Sequence, residues 1–266
     1  MLADSSSVIR RVVAILDCFS ADQPKLGVRE VARLAGLSTS TVGRIMAELK
    51  DLGILQQNST TRTYSLGAKI LAWSGIYMDS LDLRTMALAL MEELRRTTCE
   101  TVSLYIMDGN ERLCVERMES HQNVRMVSRV GHRLPLYAGS AGKAILAYLP
   151  DAIAEEILQG TDLKPYTPQT ITDRTIMRIE LHKIRQQGYA VSNGEWILEA
   201  SGVAAPILRQ GGEVVGALSI SGPGSRFVPE RVSQYAIEVV RAAGQLSQRM
   251  GFIDMSGPDE KEESHE

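Results

Sequence analysis

The 266-residue chain is poor in cysteine, poor in aromatics and nearly balanced in charge. Its three cysteines, at 18, 99 and 114, are odd in number and far apart. That argues against a disulfide framework or a zinc cluster and fits a reducing cytoplasm. His121, His132 and His182 are scattered without metal-ligand spacing, so neither a metal nor a cofactor is expected. No run reaches the roughly 18 apolar residues of a membrane span. The start, MLADSSSVIRR, has no apolar core before a small-residue cleavage site, so no signal peptide is expected. What is present, 23% charged and 44% hydrophobic residues, is the make-up of a soluble globular protein, with length for two domains.

The net charge of −3 is unevenly spread. Residues 1–76 hold 9 Lys+Arg against 6 Asp+Glu, a net +3; the remainder holds 20 against 26, a net −6. A mildly basic front on an acidic body suits a nucleic-acid partner. Part of the acidity lies in SGPDEKEESHE, and the tail at 251–266 reads as disordered.

Apolar residues at helical spacing organise the front. Val8, Val12, Ile15, Leu16 and Phe19 predict a first helix. A second covers 28–35, with Val31, Leu34 and Ala35 inward and Gly36 ending it. Ser38-Thr39-Ser40 supplies cap oxygens for a third, whose buried stripe is Val42, Ile45, Met46, Leu49 and Leu52. Cys18 falls in the apolar pattern and reads as core. After Gly53, ILQQ and RTYSL flank the polar turn 58–61 as a hairpin. Three helices and a hairpin over 1–67 make a winged helix-turn-helix, and 68–80 reads as a linker helix.

A helix-turn-helix presents the start of its second helix to the major groove. Ser38, Thr39, Ser40, Thr41 and Arg44 are therefore candidate DNA contacts. Arginine can take guanine bidentately, and hydroxyls serve either strand. Arg62 on the wing and Arg29 and Arg33 on the preceding helix are candidates for the backbone or minor groove.

The rest, 81–250, alternates strands and helices. A helix over 83–97 carries Leu83, Met86, Leu90 and Leu94 on one stripe. TVSLYIM, RLCVERM and VRMVSRV predict antiparallel strands at 101–107, 112–118 and 124–130. Helices are expected at 152–158, 174–187 and 228–250, and strands at 188–192, 202–208 and 213–221. The fold class is α+β, with helices on one side of an antiparallel sheet.

LPLYAGSAGKAILAYLP, at 134–150, admits several chemistries. Ser140 and Lys143 have the Ser-x-x-Lys spacing of acyl-enzymes, but the companion Ser-Asp-Asn and Lys-Thr-Gly elements are absent. A phosphate loop ending at Gly142-Lys143 needs Gly at 137 and Ser or Thr at 144, where Tyr137 and Ala144 stand. Alternatively, small residues let a carboxylate approach the free N–H groups at a helix start. A plain loop-to-helix junction explains the same residues equally well. Trp196, beside Glu195, is either a ligand platform or a buried aromatic.

The order of motifs resembles the IclR family of bacterial transcriptional regulators. SVIRRVVAILDCFS, VREVARLAGLSTSTVGRIMAELKDLGILQQ and TYSLG carry the likeness at the front; VGHRLPLYAGSAGKAILAYLP, GYAVSNGEWILEASGVAAPI and GALSISGP carry it behind. The resemblance implies a winged helix-turn-helix, a linker helix and a GAF-like effector domain. It further implies a cytoplasmic homodimer, often paired into a tetramer, that acts on operator DNA as repressor or activator and answers to a small-molecule effector. It places effector-contacting N–H groups at Ser140 and Ala141, pocket hydroxyls at Ser219 and Ser221, and an apolar wall at Met126. Ser192 and Gly202 stand where small-acid sensors of the family carry Asp and Cys, which implies more room and a larger organic acid or an aromatic catabolite. Lys143 reads as solvated or bonded to the domain's own backbone. A regulator without an effector, and a Ser-x-x-Lys hydrolase, are the alternatives.

Overall fold

The computed structural model describes residues 3–20, 22–79, 82–124 and 129–252. The chain divides into two compact units, Met1–Ser80 and Leu81–Glu266.

The first unit holds α1 (Ala3–Leu16), α2 (Val28–Ala35), α3 (Thr39–Asp51), β1 (Leu55–Gln57), β2 (Tyr64–Leu66) and α4 (Ala68–Asp79). Its core joins Ile15, Val31, Ala32, Val42, Ile45, Met46 and Leu49 with Leu55 and Tyr64 of the hairpin. Leu34 and Leu52, expected inward, are 45% and 52% exposed. The buried stripe of α2 runs through Val28, Val31, Ala32 and Ala35, and Leu34 lies about 100° off it. Leu52 is the cap residue after α3 and has left the helical period. Gly36 ends α2 in the left-handed region at φ 65°. Leu26 exchanges backbone hydrogen bonds with Tyr64, at 3.0 and 2.8 Å, and so adds a bridge to the β1–β2 hairpin. Its turn is shaped by Asn58, whose Oδ1 accepts the N–H groups of Thr60 and Thr61, both at 2.9 Å.

The second unit runs α5 (Asp82–Thr98), β3 (Thr101–Asp108), β4 (Glu111–Met118), β5 (Arg133–Pro135), α6 (Ser140–Tyr148), α7 (Asp151–Gly160), α8 (Arg174–Gln187), β6 (Ala190–Asn193), β7 (Ala200–Leu208), β8 (Val214–Pro223) and α9 (Pro229–Arg249). Its strands form one antiparallel sheet in the order β5-β4-β3-β8-β7-β6.

Helices cover both faces of this sheet, which corrects the one-sided expectation. Tyr105, Cys114, Ala204 and Ala217 pack under α6, α7 and α8. Val102, Leu104, Val203, Ala205, Leu218 and Ile220 pack against α5 and α9. The physical reason is visible in VAAPIL and GALSI: neighbouring residues are apolar at both parities, the mark of a strand buried on both sides. The strand expected at 124–130 is also corrected. Its residues 125–128 lie outside the described residues, and Val124, Arg129 and Val130 belong to no strand. The edge is instead β5, paired with β4 from Leu113–Arg133 to Glu111–Pro135. Among the described residues no helix is long and apolar enough to cross a membrane.

Candidate nucleic-acid face and ligand cleft

Helix α3 starts with a network of its own hydroxyls. Ser38 Oγ accepts the Thr41 N–H at 3.3 Å, donates to Thr41 Oγ1 at 2.8 Å and lies 3.2 Å from Ser40 Oγ. Ser38, Thr39, Ser40 and Arg44 are exposed, and Thr41 is half-buried. Arg29 and Arg33 are exposed on α2. Arg62 is exposed at the hairpin tip, with its backbone at φ 58°. The side chains of Arg29, Arg33, Arg44 and Arg62 form no ion pair among the described residues, so all four charges are open to a phosphate or a base edge.

In the second unit, α6 starts differently. Gly139 precedes it at φ 87°, ψ 156°, and no side chain caps the helix. The φ of 87° favours glycine at 139, and a Cβ there would sit 2.9 Å from Arg112 Nη2, so the guanidinium would have to shift. The Gly139 N–H donates to Glu195 Oε2 at 2.9 Å. The N–H groups of Ser140 and Ala141 meet no acceptor among the described residues. They face a cleft of about 90 Å³ against the sheet.

Six residues proposed from sequence line this one cleft: Ser140, Ala141, Ser192, Gly202, Ser219 and Ser221. Strand register assembles them, since Ser192 pairs with Gly202 and Gly202 with Ser221. Met126 lies outside the described residues. Gly202 does not add room, contrary to expectation. A Cβ there would lie 2.9 Å from Ser140 Oγ and 3.2 Å from the Ile220 carbonyl, so the serine hydroxyl already occupies the space. Trp196 lines the cleft and also tilts against Tyr166, with ring centroids 4.1 Å apart.

Lys143 is 1% exposed, which overturns the solvated reading. Its ammonium donates to Glu195 Oε1 at 2.6 Å, the Val191 carbonyl at 2.8 Å and Glu180 Oε1 at 2.9 Å. All three N–H bonds are used, so Lys143 offers no lone pair to activate Ser140. Glu195 thereby joins Lys143 to the Gly139 N–H, and the network fixes the first turn of α6.

Several cleft residues escape a reading from sequence, among them Ser201 on β7 and two arginines on β4, Arg112 and Arg117. Arg112 donates through Nη1 to the carbonyls of Pro135, at 2.8 Å, and Ala138. Burial pulls its guanidinium below the usual arginine range. Arg117 is half-buried and donates from Nη1 to Ser103 Oγ at 3.3 Å. Nothing in the run RLCVERM marks either as a cleft residue, because their common facing depends on a bulge that period-2 alternation omits. Among the described residues, no group of three His, Cys, Asp or Glu is placed to hold a metal.

The profile described as "Bacterial transcriptional regulator IclR C-terminal" matches residues 75–248, and that described as "IclR helix-turn-helix domain" matches residues 8–59. The chain is 33% identical over 251 residues to the HTH-type transcriptional regulator KipR of Bacillus subtilis, covering 94% of this chain and 100% of that protein. It is likewise 33% identical to the HTH-type transcriptional regulator KdgR of Escherichia coli, over 94% of this chain and 95% of that one. The crystal structure of the Thermotoga maritima IclR superposes with a TM-score of 0.76 at 29% identity, covering 95% of this chain and 100% of the other. An IclR homologue from Microbacterium hydrocarbonoxydans, complexed with 4-hydroxybenzoate, superposes with a TM-score of 0.78 at 30% identity, covering 91% and 99%.

Proposed function

This chain belongs to the IclR family of bacterial transcriptional regulators, and from that premise we propose that its grip on operator DNA is set by a small organic acid held in the α6 cleft. One observation carries the proposal. At a helix start the cleft presents two backbone N–H groups that meet no acceptor among the described residues, beside the hydroxyls of Ser192, Ser201, Ser219 and Ser221. Unpaired N–H groups and the positive end of the helix dipole favour a carboxylate. The hydroxyls then suit keto, hydroxyl or phenol oxygens on the same ligand. The relative bound to 4-hydroxybenzoate carries an acid of this class, which supports the reading.

In the DNA-binding unit, Arg44 takes a base edge and Ser38, Thr39, Ser40 and Thr41 contact phosphates or bases at the start of α3. Arg29 and Arg33 hold the backbone, and Arg62 reaches the flanking groove. One such head makes few phosphate contacts, so useful affinity calls for two heads on two half-sites. Exposed apolar residues on α1 (Val8, Ile9, Val13) and α4 (Leu71, Trp73, Ile76) support a homodimer, which can pair into a tetramer. The effector regulates by binding two arrangements of the dimer with unequal affinity.

Operator fragments selected by the protein from a random DNA pool test this. Their binding is followed by fluorescence anisotropy with keto acids, dicarboxylic acids and 4-hydroxybenzoate added in turn. At least one acid is expected to change operator affinity and raise the melting temperature. If no acid does either, the protein regulates without a small-molecule effector.

A further inference from the structure

The junction between α3 and α4 is more than a chain connection. Helix α3 ends at its cap residue Leu52, and Gly53 follows in the left-handed region at φ 75°. The Gly53 N–H donates to the Lys50 carbonyl at 3.0 Å and the Ile54 N–H to the Leu49 carbonyl at 2.9 Å, which closes the helix in a Schellman turn. Three successive carbonyls remain, those of Leu52, Gly53 and Ile54, and the start of α4 takes each. Gly67 donates its N–H to Ile54 at 2.8 Å, Lys69 its N–H to Gly53 at 3.4 Å, and the Lys69 ammonium binds the Leu52 carbonyl at 3.3 Å. The dipole of α3 favours a cation at that end.

Side-chain packing does little to aim α4. Residues 68–77 are all exposed except Ile70, which is half-buried, and none of them belongs to the core of the first unit. The direction of α4 is therefore set where it leaves the hairpin. Gly67 is buried there, and two backbones meet at it. A Cβ at 67 would lie 3.0 Å from the carbonyl carbon of Gly53, 3.1 Å from that of Ile54 and closer still to the Gly53 oxygen. These are backbone atoms, so the two segments would have to part. Lys69 also lies over Trp73, with its ammonium 5.5 Å from the ring centroid, so one side chain ties the end of α3 to the next turn of α4.

We propose that Gly67 and Lys69 are positioning residues for operator recognition. They join the linker helix to the end of the recognition helix, so α3 and α4 turn as one body. The direction of α4 then sets the half-site spacing that two heads can span. Both residues act through α3 rather than by touching DNA. Helix α4 is also the last element before the chain enters the second unit, so a turn of α4 passes to α3 where a loose junction would absorb it. This deepens the two-headed reading above and rests on it.

Fluorescence anisotropy of the full-length protein tests this on duplexes cut from a selected operator: one half-site, both half-sites, and both with one to three base pairs inserted between them. Each inserted pair turns one half-site by roughly 35° about the DNA axis. The natural protein is expected to lose about tenfold or more in affinity on the least suited duplex, because rigid heads cannot engage both sites at once. Gly67→Ala should cut that loss to about threefold or less. Lys69→Met should reduce it by a smaller amount, and Lys69→Arg, which keeps a donor, should retain it. Affinity for one half-site should stay within about twofold in all three variants. Lys69 is exposed, so Lys69→Met carries the test if Gly67→Ala does not fold. An insertion penalty that survives in every folded variant overturns the proposal, as does a natural protein that prefers two half-sites yet tolerates every spacing. A loss of single half-site affinity as large as the loss on the full operator also overturns it, since the junction would then only support the fold of the head. If the natural protein binds both half-sites no more tightly than one, the two-headed reading fails and this proposal with it.

Discussion

Helices α3 and α6 both begin in a short turn of small residues and serine, and they complete that turn in opposite ways. At α3, Ser38 caps the helix, accepts the Thr41 N–H, and leaves its hydroxyl network in solvent. At α6, Gly139 gives no cap oxygen, and Ser140 and Ala141 are buried with their N–H groups turned to a cleft. A side-chain cap satisfies the helix start internally, so on the proposed reading α3 meets DNA with outward side chains. An uncapped start leaves the backbone to do the recognising, and only burial beside fixed charges makes that selective. The first arrangement suits a long polyanion read from outside; the second suits a small anion enclosed on several sides.

The sharpest way to break this contrast is to remove what fixes the α6 turn. Lys143→Met strands the buried Glu195 carboxylate. It should cost about 3–5 kcal/mol in a denaturant titration of the second unit. A loss below about 1 kcal/mol would mean that the charge network does not hold the turn. The next effect belongs to α3. Arg44→Ala should weaken operator binding by about 1–3 kcal/mol, tenfold to a hundredfold, if the guanidinium reads a base edge. An operator titration with unchanged affinity and unchanged salt dependence would remove Arg44 from the interface. The smallest effect is the cap. Ser38→Ala should lower the stability of the first unit by about 1 kcal/mol in a thermal melt. No change there would erase the distinction between a capped and an uncapped start.

Much of this was legible in the residues themselves, for local reasons. Helix α8 begins at Asp173, whose carboxylate accepts two N–H groups, and ends at Gly188 in the left-handed region; both are short-range signals. Val42, Ile45, Met46 and Leu49 show the buried side of α3 by period alone. The family resemblance assembled Ser140, Ser192, Ser219 and Ser221 before any strand register was known. What stayed hidden depends on contacts distant in sequence. Lys143 is buried because Glu180 and Glu195, from 37 and 52 residues away, come to meet it. Arg112 and Arg117 share a face only because of the bulge at Val115. The sheet is covered twice because α5 and α9, from opposite ends of the unit, close its second face. Val203 and Ala205 record that second covering only as apolar residues at the off parity, a signal shared with any short buried strand.

The central claim is that the backbone at the start of α6 binds the effector, and Ser140→Pro tests it most directly. Proline is favoured at the first position of a helix, and the ψ of 156° at Gly139 suits a following proline. The substitution therefore removes one N–H without breaking the turn, while Ser140→Ala removes only the hydroxyl. Operator anisotropy is measured for both variants with the acid to which the natural protein responds. The expected result is that both bind operator normally, Ser140→Ala keeps the response, and Ser140→Pro needs about tenfold more acid to reach it. A Ser140→Pro protein that answers the acid as the natural protein does would contradict the claim.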